Sequence, residues 1–267
     1  MRLHRASLSV TAAVVVSALG VAACQSTPHE TSTVTPGGAS VAARAAAGQP
    51  AAGQPAPTPA APRATVQPRP EFPARLPGLG PRTLAHVAAN TRQVLLVTGA
   101  GRTSASSKVV LWRRVDGRWH PGAVWAAHNG YRGWTDEHHA GDLRSPIGVF
   151  GLTDAGGRLA DPGTGLPYHR SGAFSTGGTG IQGESLNGVF DYVVAFNYNR
   201  RPGTSPMDGT RPLGGNRGGG IRLHVDHGGP THACVSLSRA HMRQLLRALD
   251  PADHPVVVMG DAAALAR

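Results

Sequence analysis

Residues 108–119 read Lys108-Val109-Val110-Leu111-Trp112-Arg113-Arg114-Val115-Asp116-Gly117-Arg118-Trp119. The first eight of these residues are rich in β-branched and aromatic side chains, which is typical of a strand. Asp-Gly is a favoured dipeptide in a two-residue hairpin turn, because both central residues of that turn need a left-handed backbone. The stretch therefore predicts a β-hairpin with Asp116 and Gly117 at its tip.

Apolar runs of similar length lie on both sides of this hairpin and predict further short strands. They occupy residues 93–98, 123–127, 149–152, 191–197, 221–225 and 256–259. One clear helix is predicted from Arg239 to about Leu249, with Ser238 as its N-cap, because apolar side chains recur there at helical spacing. The glycine-rich stretch from residue 154 to 188 is predicted to be irregular. The fold class that follows is mainly β: a single compact β-sandwich or mixed-sheet domain with one clear helix near the C-terminus.

The N-terminus has the charge order of a secretory signal peptide. Arg2 and Arg5 precede an apolar run that ends in Val21-Ala22-Ala23-Cys24. An aliphatic residue and two small residues before a cysteine match a bacterial lipobox, so residues 1–23 are predicted to be a lipoprotein signal peptide and Cys24 to be its lipidation site. The alternative is ordinary signal-peptide cleavage with Cys24 as a bystander. Lipid on Cys24 would anchor the protein to the membrane on its extracytoplasmic side, within reach of the cell wall.

Residues 24–75 are predicted to be a disordered tether rich in Pro, Ala and Gly. The pentapeptide at residues 46–50 recurs at residues 51–55. A segment with so few large apolar side chains cannot bury enough area to offset the entropy of ordering it. It is interpreted as a spacer in front of a catalytic domain at residues 76–267, with a neutral low-complexity insertion as the alternative.

The net charge of +11 at pH 7 comes almost entirely from arginine, with Lys108 as the lone lysine. A basic protein of this kind can meet nucleic acid, anionic lipid or an anionic cell wall. Because the chain has no lysine-rich run and no interleaving of basic and aromatic residues, we expect no nucleic-acid partner. We also expect a monomer.

The segment most suited to chemistry reads His224-Val225-Asp226-His227-Gly228-Gly229-Pro230-Thr231-His232-Ala233-Cys234-Val235-Ser236. If Cys24 carries lipid, Cys234 is the one free thiol of the mature protein, and an unpaired exported cysteine is a candidate nucleophile. An imidazole that accepts the thiol proton makes the attacking thiolate. The Gly-Gly-Pro turn can bring His224 beside Cys234, and the backbone amides of residues 231–234 can converge on an oxyanion.

This segment resembles the active-site signature of the YkuD-type L,D-transpeptidases, in which a strand with a histidine precedes a glycine-containing loop and Ser/Thr-His-Gly-Cys. A second match lies upstream, where the family has Gly-Asp followed by Thr/Ser-Pro-x-Gly-x-Phe. Here that landmark reads Gly141-Asp142-Leu143-Arg144-Ser145-Pro146-Ile147-Gly148-Val149-Phe150. The resemblance covers roughly residues 93–260. It departs from the pattern at Ala233 (usually Gly), at Ser236 (usually Arg or Asn) and in its shorter His-to-Cys loop.

The resemblance implies that Cys234 is the nucleophile, that His224 is the general base, and that a backbone carbonyl near Val225 orients the imidazole. It assigns three residues to the oxyanion turn: Thr231, His232 and Ala233. It also implies a domain of the L,D-transpeptidase fold that joins peptidoglycan stem peptides in 3→3 cross-links through a thioester. The partners would be those stem peptides, and no cofactor is implied.

Three alternatives stay open at this stage. The same chemistry with water as acceptor would make an L,D-carboxypeptidase, and loss of activity would leave a peptidoglycan-binding lipoprotein. A zinc site is the third, because His224, Asp226 and His227 match part of a metal-ligand pattern, with His232 and Cys234 close by.

Other polar residues are expected to have structural roles. Asp226 and His227 are expected to form a local ion pair, and His138 and His139 to belong to a solvated loop. The four tryptophans are expected to pack in the core or at its edge.

Overall fold

The structure, a computed structural model, describes residues 71–267. The predicted signal peptide, the predicted lipidation site at Cys24 and most of the predicted tether lie outside this range. Within it, no helix is long and apolar enough to cross a membrane. The Phe72 carbonyl accepts a hydrogen bond from Arg118 at 3.3 Å and the Pro73 carbonyl accepts one from the Trp119 amide at 2.8 Å, so this end of the described chain packs on the hairpin.

Short strands and three helices make up the described chain. The strands are β1 (Gln93–Gly99), β2 (Ser106–Val115), β3 (Arg118–His128), β4 (Trp134–Thr135), β5 (Ser145–Pro146), β6 (Gly148–Gly151), β7 (Asp154–Gly157), β8 (Tyr168–Arg170), β9 (Val193–Ala195), β10 (Arg222–Val225), β11 (Val235–Leu237) and β12 (Val256–Asp261). The helices are α1 (Pro81–Leu84), α2 (Arg239–Ala248) and α3 (Ala262–Leu265), with 3-10 turns at Gly215–Arg217 and Pro251–Asp253.

Ten of the strands form one mixed sheet in the order β6-β12-β1-β2-β3-β11-β10-β9-β7-β8, and β4 pairs with β5 apart from it. The prediction of a mainly β, compact domain is confirmed, in its mixed-sheet form. β1 explains why so many strands read as continuous apolar runs. Its residues Leu95 and Val97 lie in the larger core, whereas Val94 and Leu96 lie in a smaller one, so both faces of the strand are buried.

The predicted hairpin is confirmed and extends further than the sequence indicated. β2 and β3 pair up to Val115 and Arg118, and the two turn residues have positive φ, 49° at Asp116 and 74° at Gly117. The separate strand predicted at residues 123–127 is the second half of β3, which continues to His128. This length matters because the far end of β3 pairs with β11, next to the candidate site.

The predicted helix is confirmed as α2. The Ser238 hydroxyl caps it by accepting a hydrogen bond from the His241 amide at 3.2 Å. Its apolar side chains Met242, Leu245 and Leu246 are fully buried in the larger core. The other two α-helices in the described chain have four residues each, so α2 is the one that contributes substantially to the core.

The prediction that residues 154–188 are irregular was wrong in part, because β7 and β8 belong to the main sheet. The glycines of β7 allow close approach of neighbouring backbone. A Cβ at Gly156 would collide with the His169 carbonyl, and one at Gly157 would collide with the Asp191 carbonyl. Glycine in this strand therefore reflects tight packing, which a single sequence does not distinguish from a loop.

Candidate active site

Two parallel strands, β10 and β11, set the geometry of the candidate site. Leu223 lies opposite Val235 and both are buried in the core. Since side chains alternate along a strand, Arg222 and His224 face the other side of the sheet, as does Cys234 at the start of β11. This register places Cys234 level with Arg222 on the neighbouring strand. The thiol and the imidazole line the same cavity, of about 200 Å³.

The His224 imidazole is buried and held in one orientation. Its Nδ1 lies 2.9 Å from the Val225 carbonyl oxygen, which is the backbone contact expected from the sequence. A neutral ring with its proton on Nδ1 presents an unprotonated Nε2 to a partner. The pKa of His224 is lowered to about 4, mainly by burial; the Val225 carbonyl opposes this shift, and the nearby His227 and Arg222 contribute to it. The ring is therefore a neutral proton acceptor at pH 7.

The Cys234 thiol is partly buried and contacts a backbone carbonyl. Its Sγ donates to the Gly220 carbonyl oxygen at 3.7 Å, and the Arg222 Nε donates to the same oxygen at 3.1 Å. Burial raises the pKa of the Cys234 thiol above its ordinary value, and the positive charge of Arg222 opposes that rise. Cysteine and histidine therefore rest as a neutral pair, and the thiolate forms only as the imidazole takes the proton.

Two hydroxyl groups hold the turn before Cys234. The Thr231 hydroxyl donates to the Cys234 carbonyl at 2.6 Å, and the Ser145 hydroxyl donates to the Ala233 carbonyl at 2.8 Å. Ser145 is fully buried and also accepts a hydrogen bond from the Gly130 amide at 2.9 Å. Ser145 belongs to the upstream Ser-Pro landmark, so the two sequence matches meet in space at this turn.

The backbone amides of the turn differ in what they can do. The Thr231 amide donates to the Asn129 carbonyl at 3.0 Å, so it is not free for an oxyanion. The amides of His232, Ala233 and Cys234 donate to no other group among the described residues. The His232 side chain is exposed at the rim of the cavity and makes no hydrogen bond within residues 71–267. Its contribution to the turn therefore comes from its backbone.

A loop at residues 176–190 forms part of the cavity wall. Ile181, Leu186 and Phe190 line the cavity, and the Phe190 ring meets the His224 ring edge-on at 5.6 Å. The loop is tied down where Glu184 Oε1 lies 3.1 Å from His227 Nδ1. The His227 ring in turn stacks on that of His224, 5.8 Å away. These loop side chains give the cavity a largely apolar wall.

Two expectations about neighbouring polar residues were wrong. Asp226 pairs with His128 at 2.8 Å and accepts a hydrogen bond from Ser236 at 2.6 Å, whereas His227 pairs with Glu184. Adjacent residues project to different sides of the chain, which separates Asp226 from His227. His138, expected in a solvated loop, is buried and lies 3.1 Å from Asp142, and burial lowers its pKa.

Three of the five candidate zinc ligands contact other groups. Asp226 lies against His128, His227 lies against Glu184, and His224 Nδ1 lies against the Val225 carbonyl. No cluster of three or more His, Cys, Asp or Glu side chains within residues 71–267 is arranged to hold a metal ion.

Sequence reasoning missed two charged residues of the candidate site, Arg222 beside Cys234 and Glu184 beside His227. Arg222 precedes the predicted base by two residues, and this same-face spacing on a strand was the available signal. Glu184 lies in a glycine-rich loop with no local pattern, so its contact with His227 depends on the tertiary fold. Of the tryptophans, Trp119, Trp125 and Trp134 are buried, as expected.

Comparisons with known proteins add little about activity. No family model matches the chain, and no curated protein matches its sequence. Among solved structures, that of Bdellovibrio bacteriovorus Bd1075 matches with a TM-score of 0.34 and 16% sequence identity, covering 71% of this chain and 53% of that one. The chain thus spans about half the length of that structure, and a likeness this distant has no bearing on function.

Proposed function

We propose that the protein is a cysteine acyltransferase of the L,D-transpeptidase class that acts on peptidoglycan stem peptides. The observation that carries the proposal is the buried, oriented His224 in the same cavity as the Cys234 thiol, with the three unpaired turn amides beside it. Nucleophile, base, orienting group and oxyanion donors are the parts that acyl transfer needs.

The reaction follows from these parts. Nε2 of His224 accepts the Cys234 proton as Sγ attacks the carbonyl of the third residue of a stem tetrapeptide. The oxyanion that forms is stabilised by the turn amides, and each such donor contributes about 3 kcal/mol. His224 then gives its proton to the departing amino group, so the terminal D-alanine leaves and a thioester remains. A side-chain amine of a second stem attacks the thioester, which restores the thiol and forms the 3→3 cross-link.

The likeness to the transpeptidase signature supports the choice of substrate. The Ser145 hydroxyl joins the upstream landmark to the turn before Cys234, so the two separated motifs contact each other at that turn. The surplus positive charge of the chain suits an anionic wall. We further propose that Cys24 is lipidated. Incorporation of labelled fatty acid that is lost in Cys24→Ala would test this anchor.

A carbapenem tests the proposed nucleophile, because the L,D-transpeptidases are generally susceptible to this β-lactam class. We expect intact-mass spectrometry to show one covalent adduct on the folded protein that disappears in Cys234→Ala. His224→Ala should slow acylation by about a hundredfold or more, and the matched His232→Ala by much less. The reverse ranking would mean that the base is wrong. Absence of both an adduct and tetrapeptide turnover would refute the proposed function, while turnover with water alone as acceptor would indicate a carboxypeptidase.

A further inference from the structure

Two arginines converge on Gly220, whose carbonyl oxygen the Cys234 thiol contacts. The Arg222 guanidinium lies 5.4 Å from the centroid of the Phe190 ring, which fixes its plane, and its Nε donates to the carbonyl of Gly220. Arg222 is level with Cys234 in the β10–β11 register, and the Cys234 Sγ contacts the same Gly220 carbonyl. The guanidinium is therefore held at one side of the reacting sulfur.

Arg211 approaches the same point from the preceding loop. An added Cβ at Gly220 would lie 3.3 Å from Nη2 of Arg211 and 3.5 Å from Nη2 of Arg222. The Arg211 side chain lies flat over Gly219, where any Cβ would collide with it. Glycine at position 219 thus makes room for the second guanidinium. Two like charges this close repel each other; the pKa of Arg222 is lowered mainly by burial, and Arg211 adds to that effect.

Neither arginine has an anionic partner within residues 71–267. Arg211 donates to the carbonyls of Asp208 and Thr210, and Arg222 donates to that of Gly220. By contrast, Arg200 nearby is bound to the Asp154 carboxylate at 2.9 Å. Both unpaired side chains are only partly exposed. Holding two guanidinium groups together without a counter-ion is unfavourable, and a bound carboxylate would relieve it through charge-assisted hydrogen bonds.

We infer that Arg211 and Arg222 form a carboxylate-binding subsite that recognises the free C-terminal carboxylate of the peptide whose last residue is expelled. The inference rests on the proposed function. The carboxylate lies one residue, about 3.5 Å of extended chain, beyond the carbonyl that Sγ attacks. An arginine level with the thiol is within that reach. The subsite would select stems that end one residue after the scissile bond and reject longer or amidated ones.

Peptide binding to the Cys234→Ala protein tests the subsite without any turnover. Isothermal titration would compare a stem tetrapeptide with the same peptide carrying a C-terminal carboxamide. We expect the free acid to bind at least about tenfold more tightly than the carboxamide, because a hydrogen bond to a charged group stabilises a complex by about this factor. Arg222→Gln and Arg211→Gln should each bring the ratio of the two affinities close to one. The matched control is Arg217→Gln, an exposed arginine of the same loop, which should preserve the ratio.

A second pair of peptides identifies which carboxylate is bound. One peptide carries a side-chain carboxylate on its third residue and the other lacks it. If the two arginine variants remove discrimination only in this pair, the subsite binds the side-chain carboxylate and the C-terminal assignment is overturned. If the protein with both arginines intact binds the two peptides of each pair equally well, the subsite is overturned altogether.

Turnover by the intact protein separates this inference from the proposed function. Release of D-alanine from the tetrapeptide with no preference for a carboxylate would leave the function standing and refute the subsite. A clear preference for the free carboxylate in binding, without turnover or a carbapenem adduct, would support the subsite and refute the proposed function. Melting temperatures of the glutamine variants within a few degrees of the parent protein would show that they are folded.

Discussion

At the scale of single residues, His224 and Cys234 both have environments that favour their neutral forms. Burial is the main cause for each. The positive charge of Arg222 adds to the effect on His224, because it disfavours the imidazolium, and opposes the effect on Cys234, because it favours the thiolate. The pair therefore stores no charge before substrate arrives. Proton transfer and attack on the carbonyl are then expected to be coupled steps.

The low pKa of His224 predicts a pH-dependent stability. Its folded pKa, about 4, is below the ordinary value of 6.5, so the unfolded chain binds a proton that the folded protein excludes between these values. The free energy of unfolding should fall by up to about 3 kcal/mol as pH drops from 6.5 to 4. The groups that influence the ring there are Arg222, Asp226 and His227.

Denaturant unfolding at a series of pH values measures this effect. His224→Gln should flatten the loss of stability over that interval, whereas His232→Gln, which alters an exposed ring, should retain the slope of the parent protein. Identical slopes in all three proteins would contradict the account of His224.

The thiol gives a second prediction at this scale. The rate of Cys234 alkylation by iodoacetamide should rise with a midpoint above the ordinary pKa of cysteine, because burial raises the pKa of the thiol. Arg222→Gln should move that midpoint higher by removing the opposing positive charge. Arg217→Gln, in the preceding loop, should leave it in place. A midpoint unchanged or lowered in Arg222→Gln would show that this guanidinium does not act on the sulfur.

At the scale of elements, the site depends on β10, β11 and the connection between them. Their parallel register brings residues 222, 224 and 234 to one face, and β3 pairs with the outer side of β11. The connection is held by the hydroxyl group of its own Thr231 and by one from outside it. Ser145 comes from β5, far away in sequence, and contacts the turn through the Ala233 carbonyl.

Ser145→Ala tests this bracing. The substitution leaves the buried Gly130 amide and Ala233 carbonyl without their partner, and we expect a loss of about 2 kcal/mol in the free energy of unfolding. Acylation of Cys234 by a carbapenem should also slow, since the turn amides lose their fixed position. Ser106→Ala, at an exposed position, is the control for both measurements. Unchanged stability and unchanged acylation would show that the Ser145 hydroxyl does not position the turn.

The elements also show how far sequence reasoning reaches. The Asp116-Gly117 hairpin and the capped helix α2 were predictable because the turn chemistry and the apolar spacing are local. The contact of His224 Nδ1 with the Val225 carbonyl was also predicted, from the family resemblance. Strand β7 was missed because its glycines serve packing against Asp191 and His169, which are brought there by the tertiary fold. The convergence of Arg211 and Arg222 was missed for the same reason.

At the scale of the whole molecule, one mixed sheet supports a large core and also carries the candidate site on its strands β10 and β11. Salt bridges to two buried aspartates link neighbouring segments to it. Asp191, fully buried, is bound by Arg158 and Arg239, and Asp154 is bound by Arg200. With these arginines paired, Arg211 and Arg222 stand out as cations near the thiol that lack an acidic partner in the described chain.

The most direct test of the central claim is the acyl-enzyme itself. The protein would be mixed with a stem tetrapeptide in the absence of an amine acceptor, quenched in acid and measured by intact-mass spectrometry. We predict an adduct equal to the tetrapeptide less D-alanine, located on Cys234, lost in Cys234→Ala and discharged when an acceptor amine is added. Release of D-alanine by the Cys234→Ala protein at the parent rate would contradict the account, as would an adduct on any other residue.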